Sequence, residues 1–378
     1  MIPLPKMIPV NMPQIGREEI QAASKVLKSR VLTGRFGSGP NAAQFEKNFA
    51  TFARAKHAVA VNTGTAALHL ALSVAGIKTD DEVILPSFTF IATAEAVALT
   101  GAAPVFADID PKTYNLDPSG VEAAVTHRTK AVLPVDLYGL PAEMDKVRAI
   151  AEKHNLKIIE DAAQAHGASY KGKPPGFFAD MACWSFYASK NMTTGEGGMI
   201  TTNNDEYARL ARAGRSHGEM QEYVSSTLGQ NYRMPEIEAA IGLIQLKRLP
   251  SFIQARRRNA ESLTKKLSNA KELVLPTVPK GCRHSWYLYT VRIRKGDIKT
   301  RDSIVKDLNR HGVGATVYYH TPIHLMPYYR RFGEHHLPNT EKIADLAFSL
   351  PVHPGVTEKD VEYIAKSVKQ ALKKHASV

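Results

Sequence analysis

A lysine lies in a turn of small residues directly after an apolar, strand-like segment. The segment Met181–Ser185 is apolar or small throughout, as a buried strand requires, and Lys190 follows it shortly afterwards. An amine held in such a turn can attack a carbonyl carbon and form a Schiff base. A single lysine is ordinarily a solvated surface residue, so this interpretation depends on the other groups that lie beside it.

A carboxylate and a helix start supply two further groups at predicted strand ends. Asp161 follows the apolar run Lys157–Glu160, where a carboxylate can hold a pyridinium proton, act as an acid or base, or cap a helix. Gly64 and Thr65 lie where the predicted strand His57–Val61 passes into a helix. Free backbone N–H groups and the helix dipole favour a phosphate at that point, although the alternative is a capped helix start without a ligand.

The three groups together match three functional groups of pyridoxal phosphate. A helix start can bind its phosphate, Asp161 its ring nitrogen and Lys190 its carbonyl carbon. The flat ring also needs an aromatic neighbour, and Phe88 and Phe90 follow the predicted strand Glu82–Leu85. The sequence therefore predicts a pyridoxal phosphate site built from residues that are distant in the chain.

Alternating strands and helices must bring these groups together. Helix-like segments such as Thr65–Ala75, Ile91–Leu99 and Met144–His154 separate short apolar runs. This alternation predicts an α/β fold with a mainly parallel sheet covered by helices, and ligands of such sheets bind beyond the carboxyl ends of the strands. The predicted strands are His57–Val61, Glu82–Leu85, Ala103–Ala107, Ala131–Val135, Lys157–Glu160, Met181–Ser185 and Gly198–Thr201.

The pattern changes after Pro250. A basic helix over Phe252–Leu267 precedes strand-like runs at Ser285–Ile293 and Ala315–Tyr319. The last helix is predicted to start at Thr357, with Asp360 completing a capping box. We therefore expect a leading arm over residues 1–20, a large α/β domain over 21–250 and a smaller α+β domain over 251–378. The chain could also start at Met7, because Met1-Ile2-Pro3 is repeated there.

Composition and charge exclude several classes of protein. Of the 378 residues, 44% are hydrophobic and 22% charged, which is ordinary for a globular chain and excludes a mostly disordered one. No segment reads as a membrane span or signal peptide, and the two cysteines suit a reducing compartment, so we expect a cytoplasmic protein. The net charge of +13 is compatible with an anionic small molecule. The densest basic run, Arg256–Arg258, favours a solvated helix face over nucleic-acid binding.

Three other motifs suggest different chemistry but fit their surroundings poorly. Gly214–Gly218 reads GRSHG, the pattern of a hydrolase nucleophile elbow, but a helix rather than a strand is predicted before it. His320 and His324 have the spacing of a helical metal site, but Thr321-Pro322 between them disfavours a helix, so no metal is expected. The Gly195–Gly198 turn matches neither the dinucleotide nor the P-loop spacing.

Several long runs resemble the DegT/StrS-type sugar aminotransferases. They read NTGTAALHLAL, PSFTFIATAEAV, EDAAQAHGA, SFYASKNMTTGEGGMI, NYRMPEIEAAIGLIQL, YYHTPIHLMPYY and LPVHPGVTEKDV, and they cover the chain from about residue 8 to 372. The resemblance implies the type I aminotransferase fold, a homodimer with shared sites, and pyridoxal and pyridoxamine phosphate as cofactor forms. It also implies transfer of an amino group, usually from glutamate, to a keto-sugar on a nucleotide diphosphate. No nucleic acid or membrane is expected as a partner.

The resemblance also assigns roles to individual positions. Lys190 matches the lysine that bonds the cofactor and moves the proton, and Asp161 matches the partner of the ring nitrogen. Other cofactor contacts fall on Gly64, Thr65, Phe90, Gln164, Ser185 and, from the partner subunit, Asn231. Tyr187, Tyr319 and His324 are the candidate substrate contacts. His320 departs from the family pattern, in which proline is usual, and His166 is expected to pack near the cofactor.

Three rival functions remain open from the sequence. A sugar dehydratase of the same family would carry a histidine where Lys190 stands. A regulatory or nucleic-acid-binding protein on the same fold would use the basic charge. A desulfurase or lyase of the same fold type would need a mobile, reactive cysteine, whereas Cys183 lies in a predicted buried strand and Cys282 in the small domain.

Overall fold

The computed structural model describes residues 7–34, 38–221 and 223–375. Met1 and the start of the predicted arm lie outside the described residues. The strands are β1 His57–Val61, β2 Glu82–Pro86, β3 Ala103–Ala107, β4 Thr129–Val132, β5 Lys157–Asp161, β6 Ser169–Tyr170, β7 Met181–Ser185, β8 Gly198–Thr202, β9 Glu219–Gln221, β10 Val224–Ser225, β11 Leu273–Val274, β12 Cys282–Arg283, β13 Tyr289–Ile293 and β14 Ala347–Leu350. The helices are α1 Arg17–Ser29, α2 Pro40–Ala53, α3 Gly64–Val74, α4 Ala92–Leu99, α5 Pro118–Ala124, α6 Met144–His154, α7 Asp205–Gly214, α8 Glu236–Leu267, α9 Ile298–Arg310, α10 Pro338–Leu346 and α11 Glu358–His375.

A seven-stranded sheet in the order β1-β8-β7-β5-β4-β2-β3 is the centre of the fold. β8 runs antiparallel to its neighbours β1 and β7, whereas the other pairs are parallel. In β1, Val59 and Val61 pack toward α3, while Ala58 and Ala60 pack toward α2. Both faces of the sheet are therefore covered, as near-continuous apolar strands require. The predicted α/β fold with a mainly parallel sheet is confirmed.

Local capping explains where several helices begin. The Thr63 side chain accepts a hydrogen bond from Ala66 N at the start of α3. At α11, Thr357 N donates to the Asp360 carboxylate and Asp360 N donates to the Thr357 hydroxyl. This reciprocal pair is the predicted capping box, with Asp in the place of the usual Glu.

A second sheet, β11-β13-β14, is antiparallel and packs with α9 and α11 in a separate apolar cluster. The predicted strand at Ala315–Tyr319 is wrong, because only Thr316 forms a bridge, to Ser349. The predicted strand at Ser285–Ile293 is shorter than expected and covers only β13. Residues 285–288 hydrogen-bond to loops of the first sheet instead.

Helix α8 continues through Pro250, where the sequence predicted a break. A proline inside a helix removes one backbone hydrogen bond and crowds the preceding turn. Packing against α1, α2 and α11 holds α8 together across this point. Because one helix serves both sheets, the proposed division near residue 250 falls within a continuous element, and the domain boundaries stay a prediction.

The basic run in α8 is not a solvated face. Arg256 is buried and donates to the carbonyls of Trp286 and Tyr287, and burial lowers the pKa of its guanidinium to about 10. Arg257 is half-buried and donates to the carbonyls of His284 and Gly167. Two of these three arginines therefore tie α8 to the segment that precedes β13. Within the described ranges, no helix is long and apolar enough to cross a membrane.

Candidate active site

Asp161 is the last residue of β5, and both of its carboxylate oxygens are engaged. Thr93 Oγ1 donates to Oδ2 at 2.9 Å, and Ala163 N donates to Oδ1 at 3.1 Å. Burial raises the pKa of Asp161, while these two donors and the charge of Lys190 oppose that rise. The carboxylate is thus fixed in orientation within electrostatic reach of Lys190.

Lys190 lies in the turn after β7, and its backbone N donates to the Tyr187 carbonyl at 2.9 Å. Its Nζ atom lies 4.7 Å from the centre of the Tyr287 ring, a cation–π arrangement. The neighbouring Ser189 hydroxyl is hydrogen-bonded to the Tyr287 hydroxyl. The amine is half-buried, so it is both held in place and open to a ligand.

The N-terminus of α3 forms a cradle beside the end of β7. A Cβ atom on Gly64 would lie 2.7 Å from Cβ of Ser185, so only glycine allows this approach. Across the part of the chain that the structure describes, the backbone N–H groups of Gly64 and Thr65 donate no hydrogen bond. Two free N–H groups at a helix start, with the Ser185 hydroxyl next to them, suit a phosphate.

Gln164 links the loop after β4 to the segment between α9 and α10. Its Oε1 accepts from Tyr138 N at 2.7 Å, and its Nε2 donates to the Tyr319 hydroxyl at 3.2 Å. Phe90 lies beside Tyr319 and is 55% exposed, whereas Phe88 is fully buried against Tyr138 and Tyr319. Of the two candidate aromatics, Phe90 is therefore the one open to a ligand.

The structure does not bring every predicted residue into this cluster. His324 is 4% exposed, and its ring nitrogens lie 2.7 Å from Ser87 Oγ and 3.4 Å from Glu341 Oε1. Tyr187 is exposed beside the lysine turn. Asn231 is exposed and bridges Ser216 at the base of the β9–β10 hairpin. Substrate contact by His324 and Tyr187, and contact of Asn231 with the cofactor phosphate across a subunit interface, stay predictions.

His166 packs in an aromatic cage of Phe49, Trp184 and Phe186. Among the described residues, neither ring nitrogen has a hydrogen-bond partner. Burial, together with the charges of Lys190 and Arg256, lowers the pKa of His166 to about 3. The imidazole is therefore neutral and packs as an apolar ring, while its expected position near the cofactor stays a prediction.

Sequence reasoning missed four contributors. Thr93 orients Asp161, the Tyr138 backbone orients Gln164, and Tyr287 and Ser189 hold Lys190. A hydroxyl in the first turn of the helix after β2 is a signal by which Thr93 could have been found. Nothing in the sequence around Tyr287 sets it apart from the other aromatic residues of its segment.

The competing motifs have structural roles instead. Ser216 of the GRSHG run follows helix α7, is buried and accepts from Arg233 Nη1 at 3.0 Å. The preceding Arg215 forms a buried ion pair with Glu46. No group of three potential metal ligands occurs among the residues that the structure describes. Burial raises the pKa of the Cys183 thiol well above its usual range, which disfavours a reactive cysteine there.

The residues present fit pyridoxal phosphate. The Gly64 cradle suits its phosphate, the oriented Asp161 carboxylate suits a protonated ring nitrogen, and Lys190 can bond its carbonyl carbon. These groups come from the ends of β1, β5 and β7, neighbouring or nearly neighbouring strands of one sheet edge. The fold and the site define a pyridoxal-phosphate-dependent enzyme of the α/β aminotransferase type.

Comparison with known proteins agrees with this class. The DegT/DnrJ/EryC1/StrS aminotransferase family matches residues 13–369. The chain belongs to this family and is a transaminase that uses pyridoxal phosphate. It is 44% identical to a GDP-perosamine synthase of Caulobacter vibrioides over 87% of this chain and 89% of that protein. It is 41% identical to a pleiotropic regulatory protein of Geobacillus stearothermophilus over 91% of this chain and 92% of that protein.

The fold is also that of solved sugar aminotransferases. Spr1654 of Streptococcus pneumoniae in its PLP form matches with a TM-score of 0.92 at 28% identity, covering 97% of this chain and 99% of that one. The same protein in its PMP form matches with a TM-score of 0.93 over 98% of this chain and 99% of that one. Spr1654 thus has the fold of this chain in both its PLP form and its PMP form.

Proposed function

We propose that this protein transfers an amino group from glutamate to a keto-sugar carried on a nucleotide diphosphate. The observation that carries the proposal is the convergence of Lys190, the oriented Asp161 and the Gly64 cradle at one sheet edge. The sugar is supported by the similarity to GDP-perosamine synthase along most of both chains. The net charge of +13 suits an anionic substrate, because positive potential steers such molecules toward the protein.

Each site residue has a distinct role in this proposal. Gly64, Thr65 and Ser185 hold the phosphate, Phe90 stacks on the ring, and Gln164 donates toward its phenolic oxygen. Asp161 keeps the ring nitrogen protonated. When bound, pyridoxal phosphate supplies an electron-withdrawing ring that stabilises negative charge at the adjacent substrate carbon. Lys190 would remove the proton from the substrate carbon that bears the amino group and return it to the cofactor carbon bonded to the same nitrogen.

Burial of the polar groups around the ring supports this division of roles. The Tyr138 and Tyr319 hydroxyls have pKa values raised well above their usual range by burial, so both stay neutral. The Tyr138 hydroxyl donates to the Tyr318 carbonyl, which joins the loop after β4 to the segment that carries Tyr319. Asp161 is then left to serve the ring nitrogen and Lys190 to transfer the proton.

The site is proposed to be shared between two subunits. Asn231 is exposed at the base of the β9–β10 hairpin. From there it can reach the phosphate that the other subunit binds. Tyr187 and Tyr319 are proposed to contact the sugar. His324 is proposed to act through its hydrogen bonds to Ser87 and Glu341, because its ring is buried.

Absorbance of the purified protein tests the proposal. A band near ~420 nm, shifting toward ~330 nm with glutamate, is expected for conversion of the lysine-bound cofactor to pyridoxamine phosphate. Lys190→Ala is expected to lose that band and turnover, while Lys366→Ala, an exposed lysine on α11, keeps both. Normal turnover by Lys190→Ala would contradict the proposal.

Product analysis tests the substrate. Nucleotide keto-sugars added to the pyridoxamine form are expected to give an amino-sugar nucleotide and to restore the ~420 nm band. A deoxy-sugar product without nitrogen would instead identify the dehydratase of the same family.

A further inference from the structure

The Lys190 amine lies over the aromatic ring of Tyr287. Nζ lies 4.7 Å from the ring centre, and Tyr287 is only 5% exposed. The face of an aromatic ring carries partial negative charge and attracts an ammonium group. A long, flexible lysine side chain is thereby held over a fixed point of the site.

The hydroxyl of the same ring holds the turn that carries the lysine. Its oxygen lies 2.8 Å from Ser189 Oγ, a hydrogen bond that spans 98 positions of sequence. Tyr287 thus contacts the backbone neighbour of Lys190 through its hydroxyl and the Lys190 amine through its face. Two separate contacts with adjacent residues restrict both the turn and the side chain.

Three hydrogen bonds fix the backbone of the segment that carries the ring. Arg256 Nη1 donates to the Tyr287 carbonyl at 3.0 Å, and Leu288 N donates to the Tyr138 carbonyl at 3.2 Å. Asn191 Nδ2 donates to the Ser285 carbonyl at 3.3 Å. The segment that carries Tyr287 is therefore tied to α8, to the loop that orients Gln164, and to the residue after Lys190.

We propose that Tyr287 is a positioning residue for Lys190. Its ring face holds the ε-ammonium of Lys190 while that amine is not bonded to a ligand. Its hydroxyl holds the turn through Ser189. The inference rests on the proposed function of Lys190. Among the described residues, Tyr287 makes no hydrogen bond to the phosphate cradle or to Asp161, so its effect is expected on the lysine and not on substrate affinity.

Capture of pyridoxal phosphate by cofactor-free protein measures the position of the amine directly. The adduct is trapped with borohydride at timed intervals, and the Lys190 peptide is quantified by mass spectrometry. Tyr287→Leu is expected to slow capture at Lys190 about fivefold to tenfold and to lower kcat by a similar factor with KM unchanged. Tyr287→Phe, which keeps the ring face, is expected to slow capture only about twofold to threefold.

Tyr289→Leu is the matched control. Tyr289 is fully buried two residues further on, and its hydroxyl is hydrogen-bonded to Thr264 rather than to the lysine turn. Its loss is expected to lower thermal stability, as loss of any buried tyrosine does, yet to leave capture at Lys190 within about twofold of the unmodified protein. Equal slowing by Tyr289→Leu would reduce Tyr287 to a core residue and overturn the proposal.

Other outcomes separate the inference from the proposed function. Unchanged or faster capture by folded Tyr287→Leu overturns the positioning role but leaves Lys190 as the reactive lysine. Absence of any adduct at Lys190 in the unmodified protein overturns both. If Tyr287→Leu does not fold, Tyr287→Phe and Ser189→Ala decide: they remove the same hydrogen bond, so each should slow capture equally and the double variant no further. Additive slowing contradicts the proposal.

Discussion

At the scale of single residues, the candidate site depends on polar groups that hold other polar groups. The Asp161 carboxylate is useful only while it is ionised and correctly oriented, and burial alone would favour its neutral form. Thr93 and Ala163 each donate to a different carboxylate oxygen and so oppose that effect. The groups that lower the pKa of Asp161 are therefore as necessary to the proposed chemistry as Asp161.

Thr93→Val tests this dependence, because it removes the hydroxyl and keeps the shape. We expect kcat to fall about threefold to tenfold, the effect of losing one hydrogen bond to a charged group. Since the Thr93 hydroxyl lowers the pKa of Asp161, the acidic limb of the pH–kcat profile should move to higher pH. Thr290→Val, which removes a buried hydroxyl bonded to Ser349 in the second sheet, should leave kcat unchanged. An unshifted profile for Thr93→Val would argue against the tuning.

His166 predicts a dependence of stability on pH. Its pKa in the folded protein is about 3, below the ordinary 6.5, so the unfolded chain binds the proton more tightly. The stability that results is present above about pH 6.5 and is lost as the pH falls from there toward 3. For one such histidine the loss between pH 7.5 and 5 is about 2 kcal/mol.

His166→Leu should remove this contribution to the pH dependence of the free energy of unfolding. Urea unfolding of the cofactor-free protein measures this free energy at pH 7.5 and at pH 5. Between these values, the free energy of unfolding of the variant is expected to fall by about 2 kcal/mol less than that of the unmodified chain. His127→Leu, at an exposed position, should change nothing. Equal slopes for His166→Leu and the unmodified protein would show that the imidazole is protonated within the fold.

At the scale of elements, the close approach of α3 to the end of β7 shapes the phosphate cradle. Gly64→Ala places a methyl group 2.7 Å from Cβ of Ser185, so either the helix or the strand must shift. We expect the affinity for pyridoxal phosphate to fall about tenfold or more, because the free N–H groups move away from the phosphate. Titration of the cofactor-free protein measures the change.

Gly120→Ala is the corresponding control within a helix. The nearest atom to an added Cβ there lies 3.6 Å away, an ordinary contact, and the position belongs to α5. Its cofactor affinity should equal that of the unmodified protein, with stability unchanged or slightly raised. A Gly64→Ala protein that binds the cofactor normally would exclude this helix start as the phosphate site.

At the scale of the whole molecule, the proposed sharing of sites between subunits can be tested by hybrid dimers. Lys190→Ala and Asn231→Ala proteins are each expected to be inactive or nearly so. If Asn231 serves the partner's site, a hybrid contains one site with both residues intact. Complete exchange of equal amounts should then restore about a quarter of full activity.

The readout depends on exchange between subunits. Mixing followed by mild dissociation and reassociation should restore activity, whereas simple mixing at low concentration should not until the subunits exchange. Recovery of activity in a mixture of Lys190→Ala with Tyr187→Ala would indicate that Tyr187, too, acts across the interface. No recovery in any mixture would place Asn231 outside the shared site.

Much of the fold and the central part of the site could be predicted from the sequence. Buried parallel strands are short apolar runs, and each such run in the first 202 residues forms a strand with ends shifted by at most a few residues. Gly64 and Lys190 lie shortly after two of those strands, and Asp161 is the last residue of a third. Parallel strands end at one edge, so local patterns were enough to predict that these residues meet.

Only the tertiary structure decided how that centre is supported. The Thr93–Asp161 contact spans 68 positions and the Ser189–Tyr287 contact 98, and no local pattern encodes either. The second half shows the same limit: α8 runs through Pro250, Arg256 is buried, and Ala315–Tyr319 forms no strand. A short segment specifies its own backbone preference and its apolar face, whereas its neighbours across the fold are chosen by packing, which overrides that preference where burial stabilises more.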